Sequence, residues 1–141
     1  MTIQELLDKD LIRKNKASAA EIKGAIEISV HYLSRAEGIF KIKYYDIAFL
    51  SAYNSMFQAA KALLLKAGYK ERGHSALIQA LKIAYKGNKD LDEFLDILDS
   101  YRQSRHSVQY DGEAASEIDA RESINDAKRL IEIAKSIIET H

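Results

Sequence analysis

One segment at the end of a predicted helix carries the side chains of this chain that are best suited to chemistry. At about 100° per residue, Arg102, Arg105, His106, Gln109 and Tyr110 cover less than half of the helix circumference. A guanidinium group is a fixed cation whose planar donors match phosphate, and an imidazole exchanges protons near neutral pH. The cluster therefore suits an RNA phosphodiester, with Arg102 and Arg105 as the phosphate ligands.

The same cluster also has a simpler interpretation, which the pattern leaves open. Cations near the C-terminal end of a helix complement the negative end of the helix dipole. Charged clusters at helix ends are common for this reason. Under this interpretation the segment is a solvated helix end that binds no ligand.

Metal and cofactor chemistry finds little support in the rest of the sequence. No pair of histidines has metal-ligand spacing, and the motifs of phosphate-binding glycine loops and dinucleotide-binding folds do not occur. We therefore predict no metal ion and no cofactor. Four carboxylates that recur along one predicted helix are interpreted as a solvated face with i,i+4 partners: Asp90, Asp92, Asp96 and Asp99.

Two further groups of side chains are assigned structural roles. His74 or Ser75 follows a glycine and is predicted to cap the helix that begins there; the alternative is that His74 reaches a bound phosphate. Tyr53 and Phe57 could stack on bases. Because they occur at helical spacing within an apolar run, we predict that they belong to the core instead.

Composition limits the class of protein. The chain of 141 residues is predicted to form one domain, 1–141. Lysine plus arginine equals aspartate plus glutamate, with 21 of each, so any phosphate site must come from a local cluster. Cysteine is absent, which excludes disulfides and thiolate chemistry. No apolar run approaches the ~20 residues that span a bilayer, and the N-terminus does not resemble a signal peptide. We expect no membrane association and a cytoplasmic location.

The elements that position the cluster are predicted to be helices. Proline is absent and only six glycines occur, which indicates an all-α fold. Capping boxes predict helix starts at Thr2, Ser18 and Ser116, and the first helix is expected to run to about Lys14. The expected architecture is an up-and-down helical bundle of four main helices plus short additional helices.

The most apolar segment is predicted to be the central helix. We predict that Asp46 caps this helix, that the helix runs to about Ala67 and that Gly68 stops it. A helix that is apolar nearly all round is expected to be buried on all sides. Its small residues should let neighbouring helices approach closely: Ser51, Ala52, Ser55, Ala59 and Ala62.

Three segments together resemble a known family. The segment 51–64 resembles the central helix of HEPN domains, where an Ala-Tyr-x-x-Met-Phe core precedes an Ala-Ala-[Arg/Lys]-Ala-Leu-Leu run. The segment 74–78 is similar to the one that opens their next helix. The segment 105–110 falls where the family carries its signature, an arginine followed four to six residues later by a histidine. The resemblance covers about 18–138.

The resemblance implies both a fold and a function. HEPN domains are helical bundles that form homodimers, in which the signature residues of both protomers line a shared groove. Members with the full signature are metal-independent endoribonucleases, often toxins that are paired in toxin-antitoxin modules with a minimal nucleotidyltransferase. In that chemistry the histidine moves a proton, and the arginine stabilises charge on the phosphorane.

This chain departs from the signature at one position. Arg105 matches the arginine, His106 matches the polar residue after it, and Tyr110 stands at the histidine position. This resembles an uncharacterised Arg-x4-Tyr branch of the family. A phenol with an ordinary pKa near 10 is a poor base at neutral pH. Arg105, His106 and Tyr110 are nevertheless the candidate catalytic residues.

The sequence thus leads to three hypotheses. The first is a HEPN-type partner of a minimal nucleotidyltransferase, with an RNA- or nucleotide-binding dimer groove and weak or no nuclease activity. In this case Tyr110 is the candidate acceptor for an adenylyl group. The second is an active metal-independent endoribonuclease. The third is a structural helical dimer, in which Arg105 is buried against a carboxylate such as Asp111 or Glu113.

Overall fold

Four long helices and two shorter ones form the body of the protein. The computed structural model describes residues 1–140, and for Tyr110 it describes the backbone alone. The helices are α1 (Ile3–Asp8), α2 (Ala19–Lys41), α3 (Tyr45–Ala67), α4 (His74–Ala84), α5 (Lys89–Tyr110) and α6 (Glu117–Thr140). The two strands are β1 (Ile12–Lys14) and β2 (Tyr69–Glu71). The predicted all-α bundle of four main helices is confirmed.

Local hydrogen bonds begin three of the helices where the sequence predicts. The Ser18 hydroxyl accepts from the backbone N–H of Glu21 at 3.1 Å, and the Glu21 carboxylate accepts from the N–H of Ser18 at 3.4 Å. Ser116 and Asp119 exchange the same pair of bonds, each at 3.1 Å. Thr2 accepts from the N–H of Glu5 at 3.1 Å. The capping boxes therefore mark real helix starts.

The first predicted helix is wrong in its length. It ends at Asp8, and Asp10 then adopts a left-handed backbone conformation with φ 56°, which a continuing helix cannot contain. Ile12–Lys14 pairs antiparallel with Tyr69–Glu71, so that Ile12 faces Glu71. The strand pairing satisfies backbone groups of both segments and buries Ile12 in the core.

Helix α3 occupies the centre of the bundle and packs against α2, α4, α5 and α6. It begins at Tyr45, so the prediction that Asp46 caps it is wrong; the Asp46 carboxylate accepts from the N–H of Ile47 at 2.9 Å. It ends at Ala67, and the Gly68 that follows has a φ of 97°, the left-handed conformation expected after a helix.

Small side chains allow α2 and α3 to approach closely, as the sequence predicts. The Ser29 hydroxyl donates to the Ser55 carbonyl oxygen at 2.6 Å, and the Ser55 hydroxyl donates to the Ser29 carbonyl oxygen at 2.8 Å. Both serines are fully buried. Each buried hydroxyl therefore has a hydrogen-bond partner within the protein instead of water. The two hydrogen bonds fix the register of α2 against α3.

None of the helices within residues 1–140 combines the length and the apolarity that crossing a bilayer requires.

Candidate functional site

The ends of two packed helices enclose a polar groove. Arg102, Gln103, Arg105 and His106 of α5 line one side, and His74 and Ser75 at the start of α4 line the other. We call this feature the arginine groove. Its volume is about 480 Å³. The periodicity that places Arg102, Arg105 and His106 on one helix face therefore also brings them to one open surface.

His74 is held in a fixed orientation at the edge of the arginine groove. Its Nδ1 atom lies 2.6 Å from the hydroxyl oxygen of Tyr53 in α3. Its ring stacks on that of Phe57, with centroids 3.7 Å apart and planes inclined by 15°. Tyr53 is fully buried. The central helix therefore positions an imidazole that belongs to the next helix.

The two arginines are partly buried, and each contacts a neighbouring group. The guanidinium carbon of Arg105 lies 5.6 Å from the centroid of the Tyr53 ring, which is a cation–π distance. The Nε atom of Arg102 donates to the carboxylate of Asp99 at 2.9 Å. These contacts already restrict the rotamers of both arginines. Binding a ligand therefore costs less side-chain entropy than it would with flexible arginines.

The electrostatics of the arginine groove keep His74 neutral. Burial, followed by the charges of Arg105 and Arg102, lowers the pKa of His74 to about 4. Burial raises the pKa of Tyr53 to about 12, although the same two arginines oppose the shift. At neutral pH the phenol is therefore protonated and can donate to Nδ1. In the tautomer in which the phenol donates to Nδ1, the proton of the neutral imidazole resides on Nε2, and Nε2 is then a hydrogen-bond donor.

This arrangement is suited to binding an anion. Two fixed cations and a neutral imidazole line the same groove, and the chain as a whole carries no net charge. A phosphodiester presents two non-bridging oxygens, which guanidinium groups bind with charge-assisted hydrogen bonds. The positive potential is therefore a local property of the arginine groove rather than of the protein.

The structure brings together most of the site residues that the sequence predicts. Arg102, Arg105 and His106 line one groove. The side chain of Tyr110 lies outside the described residues, so its predicted catalytic and acceptor roles stay predictions. Glu113, a predicted carboxylate partner of Arg105, lines a separate hollow beside Tyr101.

His74 is the site residue whose role differs from the sequence-based prediction. Gly73 occupies the N-cap position of α4, so the prediction that His74 or Ser75 caps the helix is wrong. Tyr53 belongs to the core, as predicted, but it also holds His74. One feature of the sequence could have indicated this role, since Tyr53 and His74 both lie in the segments that resemble HEPN domains.

Two of the four aspartates of α5 have cationic partners, although neither ion pair has the predicted i,i+4 spacing. Asp96 forms an ion pair with Lys82 of α4, and Asp99 pairs with Arg102. Asp99 also accepts a hydrogen bond from Gln103 at 3.4 Å. Asp99 therefore orients two side chains that line the arginine groove.

A larger groove, of about 640 Å³, lies between α2 and α6. Aliphatic side chains such as Ile22, Ile26 and Ile138 line it, together with lysines and glutamates whose charges nearly cancel. This lining suits hydrophobic contact, whereas the arginine groove is lined by guanidinium and imidazole groups, which are chemically suited to phosphate binding or proton transfer. We therefore take the smaller groove as the candidate site.

Comparisons with known proteins show the family of this chain. A family model described as "HEPN domain" matches residues 22–137. A protein of Methanocaldococcus jannaschii named "Putative toxin MJ0605" is 27% identical over 125 residues, which are 88% of this chain and 93% of that protein. A second protein of that organism, "Putative toxin MJ0142", is 28% identical over 92 residues, which are 64% of this chain and 63% of that protein.

A solved structure shares the fold. The crystal structure of TT1696 from Thermus thermophilus superposes with a TM-score of 0.66 and 24% sequence identity. The match covers 82% of this chain and 96% of that one. The helical architecture described above is therefore found in an experimental structure.

Proposed function

Because this chain belongs to the HEPN domain family, we propose that it is a toxin-type member that binds RNA or nucleotide phosphates in the arginine groove. The observation that carries the proposal is that Arg102, Arg105 and His74 line one open groove. Two similar proteins named as toxins support the toxin type. An open groove also argues against the hypothesis of a purely structural helical dimer.

Binding to single-stranded RNA tests this proposal. In EDTA, the wild-type protein should bind a fluorescent oligouridylate, and Arg105→Ala should weaken binding by at least about tenfold, because a charge-assisted bond to phosphate contributes about 1.5–3 kcal/mol. Fluorescence anisotropy measures the affinity. Arg129→Ala, which removes an equal charge from the exposed surface of α6, should bind like the wild type. Equal weakening by both variants would contradict a specific groove.

Weak or absent nuclease activity is part of the proposal, because Tyr110 replaces the signature histidine. The second candidate, a metal-independent endoribonuclease, is favoured by the imidazoles of His106 and His74, which both line the arginine groove. The binding reactions distinguish the two when they are also separated on a gel. Cleavage in EDTA by the wild type, lost in Arg105→Ala, would establish the nuclease.

The proposed partner is a minimal nucleotidyltransferase, in a toxin-antitoxin-like module, and the proposed acceptor is Tyr110. In the reaction the phenol oxygen bonds to the α-phosphorus of ATP, and pyrophosphate and the phenol proton leave. Incubation with the partner and ATP should add the mass of AMP to the wild type and to Tyr44→Phe, but not to Tyr110→Phe. Tyr44 is an exposed tyrosine, 62% accessible, and serves as the control. Intact-mass spectrometry reads the result; an adduct on Tyr110→Phe would exclude this acceptor.

We further propose that the protein forms a homodimer. The turn between α2 and α3 exposes Ile42, the first turn of α3 exposes Ile47, and Ile118 at the start of α6 is 67% exposed. The contact between Arg121 and Phe40 links the start of α6 to the last turn of α2, next to Ile42, with the guanidinium carbon 5.3 Å from the ring centroid. Exposed aliphatic side chains at one end of a bundle favour association. Sedimentation equilibrium distinguishes a dimer from a monomer.

A further inference from the structure

We propose that His74 is the third phosphate-binding group of the arginine groove and that it takes up a proton when an RNA phosphate enters. This inference rests on the proposed function, since it needs an anion beside Arg102 and Arg105. It adds a ligand from α4 to the arginines of α5. It also adds a pH dependence that the arginines alone cannot produce, because guanidinium stays charged at all relevant pH values.

The position of His74 carries the first part of the inference. His74 lines the same groove as both arginines. Its Nδ1 atom is engaged by the Tyr53 hydroxyl at 2.6 Å, and one ring face lies against Phe57 at 3.7 Å. Nε2 is then the ring nitrogen that can donate to a phosphate oxygen. A stacked and hydrogen-bonded ring donates in a fixed direction, which a surface histidine does not.

The Tyr53 hydroxyl carries the second part, because it can reverse its role. A phenol both donates and accepts hydrogen bonds. It donates to Nδ1 when the imidazole is neutral, and it can accept from Nδ1–H when the imidazole is charged. A proton from solvent can therefore be added at Nδ1 without breaking the 2.6 Å contact. The pair is compatible with both charge states of the ring.

The charges around His74 decide when the proton is taken up. From α5, Arg105 and Arg102 both disfavour imidazolium, and His106 lines the same groove. From α3, the contacting groups are the neutral Tyr53 and Phe57. A phosphate bound between the arginines offsets their charge and places a negative group beside the ring. Both effects favour imidazolium, so RNA binding and proton binding should strengthen each other.

A titration of the whole protein tests this coupling. The probe is a 2′-O-methylated oligouridylate, which cannot be cleaved through its 2′-oxygen and whose bases do not protonate between pH 4 and pH 7. We expect the NMR titration midpoint of His74 to rise by about two pH units when the oligomer binds. Wild-type affinity should increase about tenfold from pH 7 to pH 5, and in His74→Gln this increase should disappear.

The outcomes separate this inference from the proposed function. Failure of the oligomer to bind the wild type would overturn both. Binding that depends on Arg105 but leaves the His74 midpoint unchanged would overturn the inference alone, as would an equal pH dependence in the wild type and His74→Gln. The midpoint is measured on the wild type, so the test does not depend on the stability of a variant.

Discussion

The double variant Arg102→Gln/Arg105→Gln is expected to bind single-stranded RNA about 100-fold more weakly than the wild type. Each guanidinium can form charge-assisted hydrogen bonds to phosphate, and the loss of two such contacts at about 1.4 kcal/mol or more each gives this factor. Counterion release should decrease as well, so the slope of log affinity against log salt should become less steep by about 1.4. Anisotropy titrations at several salt concentrations measure both quantities.

A matched double variant separates a local site from a general charge effect. Arg35 and Arg129 are exposed on α2 and α6, and Arg35→Gln/Arg129→Gln changes the net charge by the same amount. It should keep the affinity within a factor of about two, because exposed charges at a distance are screened. If both double variants lose the same affinity, binding follows net charge, and the arginine groove is not the site.

The helix starts could be predicted because their causes are local. Ser18 and Glu21 satisfy each other's backbone donors within one turn of helix, so four residues contain all the information. The same holds for Ser116 with Asp119. The left-handed Gly68 at the end of α3 is also a local requirement of the backbone.

The strand pair could not be predicted, because its cause lies far apart in the sequence. Ile12–Lys14 and Tyr69–Glu71 are three residues each, too short to show an alternating pattern. Each strand is stabilised by the other. In the sequence, the apolar stripe of α1 continues at helical spacing into β1. The pattern therefore predicts a first helix that runs on to Lys14.

The candidate site could be predicted only in part, because some of its residues share one helix and others meet only through the packing of helices. Arg102, Arg105 and His106 lie on one helix, so helical periodicity alone places them together. His74 and Tyr53 are 21 positions apart and meet because α4 packs on α3. An apolar neighbourhood correctly predicts that Tyr53 is buried, but it contains no information on where the hydroxyl points.

Acidification from pH 7 to pH 4 is expected to destabilise the folded protein through His74 by about 2 kcal/mol. The pKa of His74 is about 4 in the folded chain, against an ordinary value of 6.5. Between these values the unfolded chain binds a proton that the folded chain does not, so stability falls as the pH falls. The expected loss of stability is smaller than the full pKa shift would give, because solvent reaches part of the ring and screens the arginines. Urea unfolding at a series of pH values measures the loss.

Comparison of two variants isolates this contribution from the carboxylates, which also titrate near pH 4. His74→Gln should be less stable than the wild type at pH 7, because it lacks the ring that stacks on Phe57. Its stability should nevertheless fall by about 2 kcal/mol less on acidification. Ser75→Ala keeps His74 and alters only an exposed neighbour, so it should follow the wild-type curve. If His74→Gln followed that curve as well, the imidazole would be protonated as readily in the folded protein as in the unfolded chain. Burial and the two arginines could not then be the forces that keep it neutral.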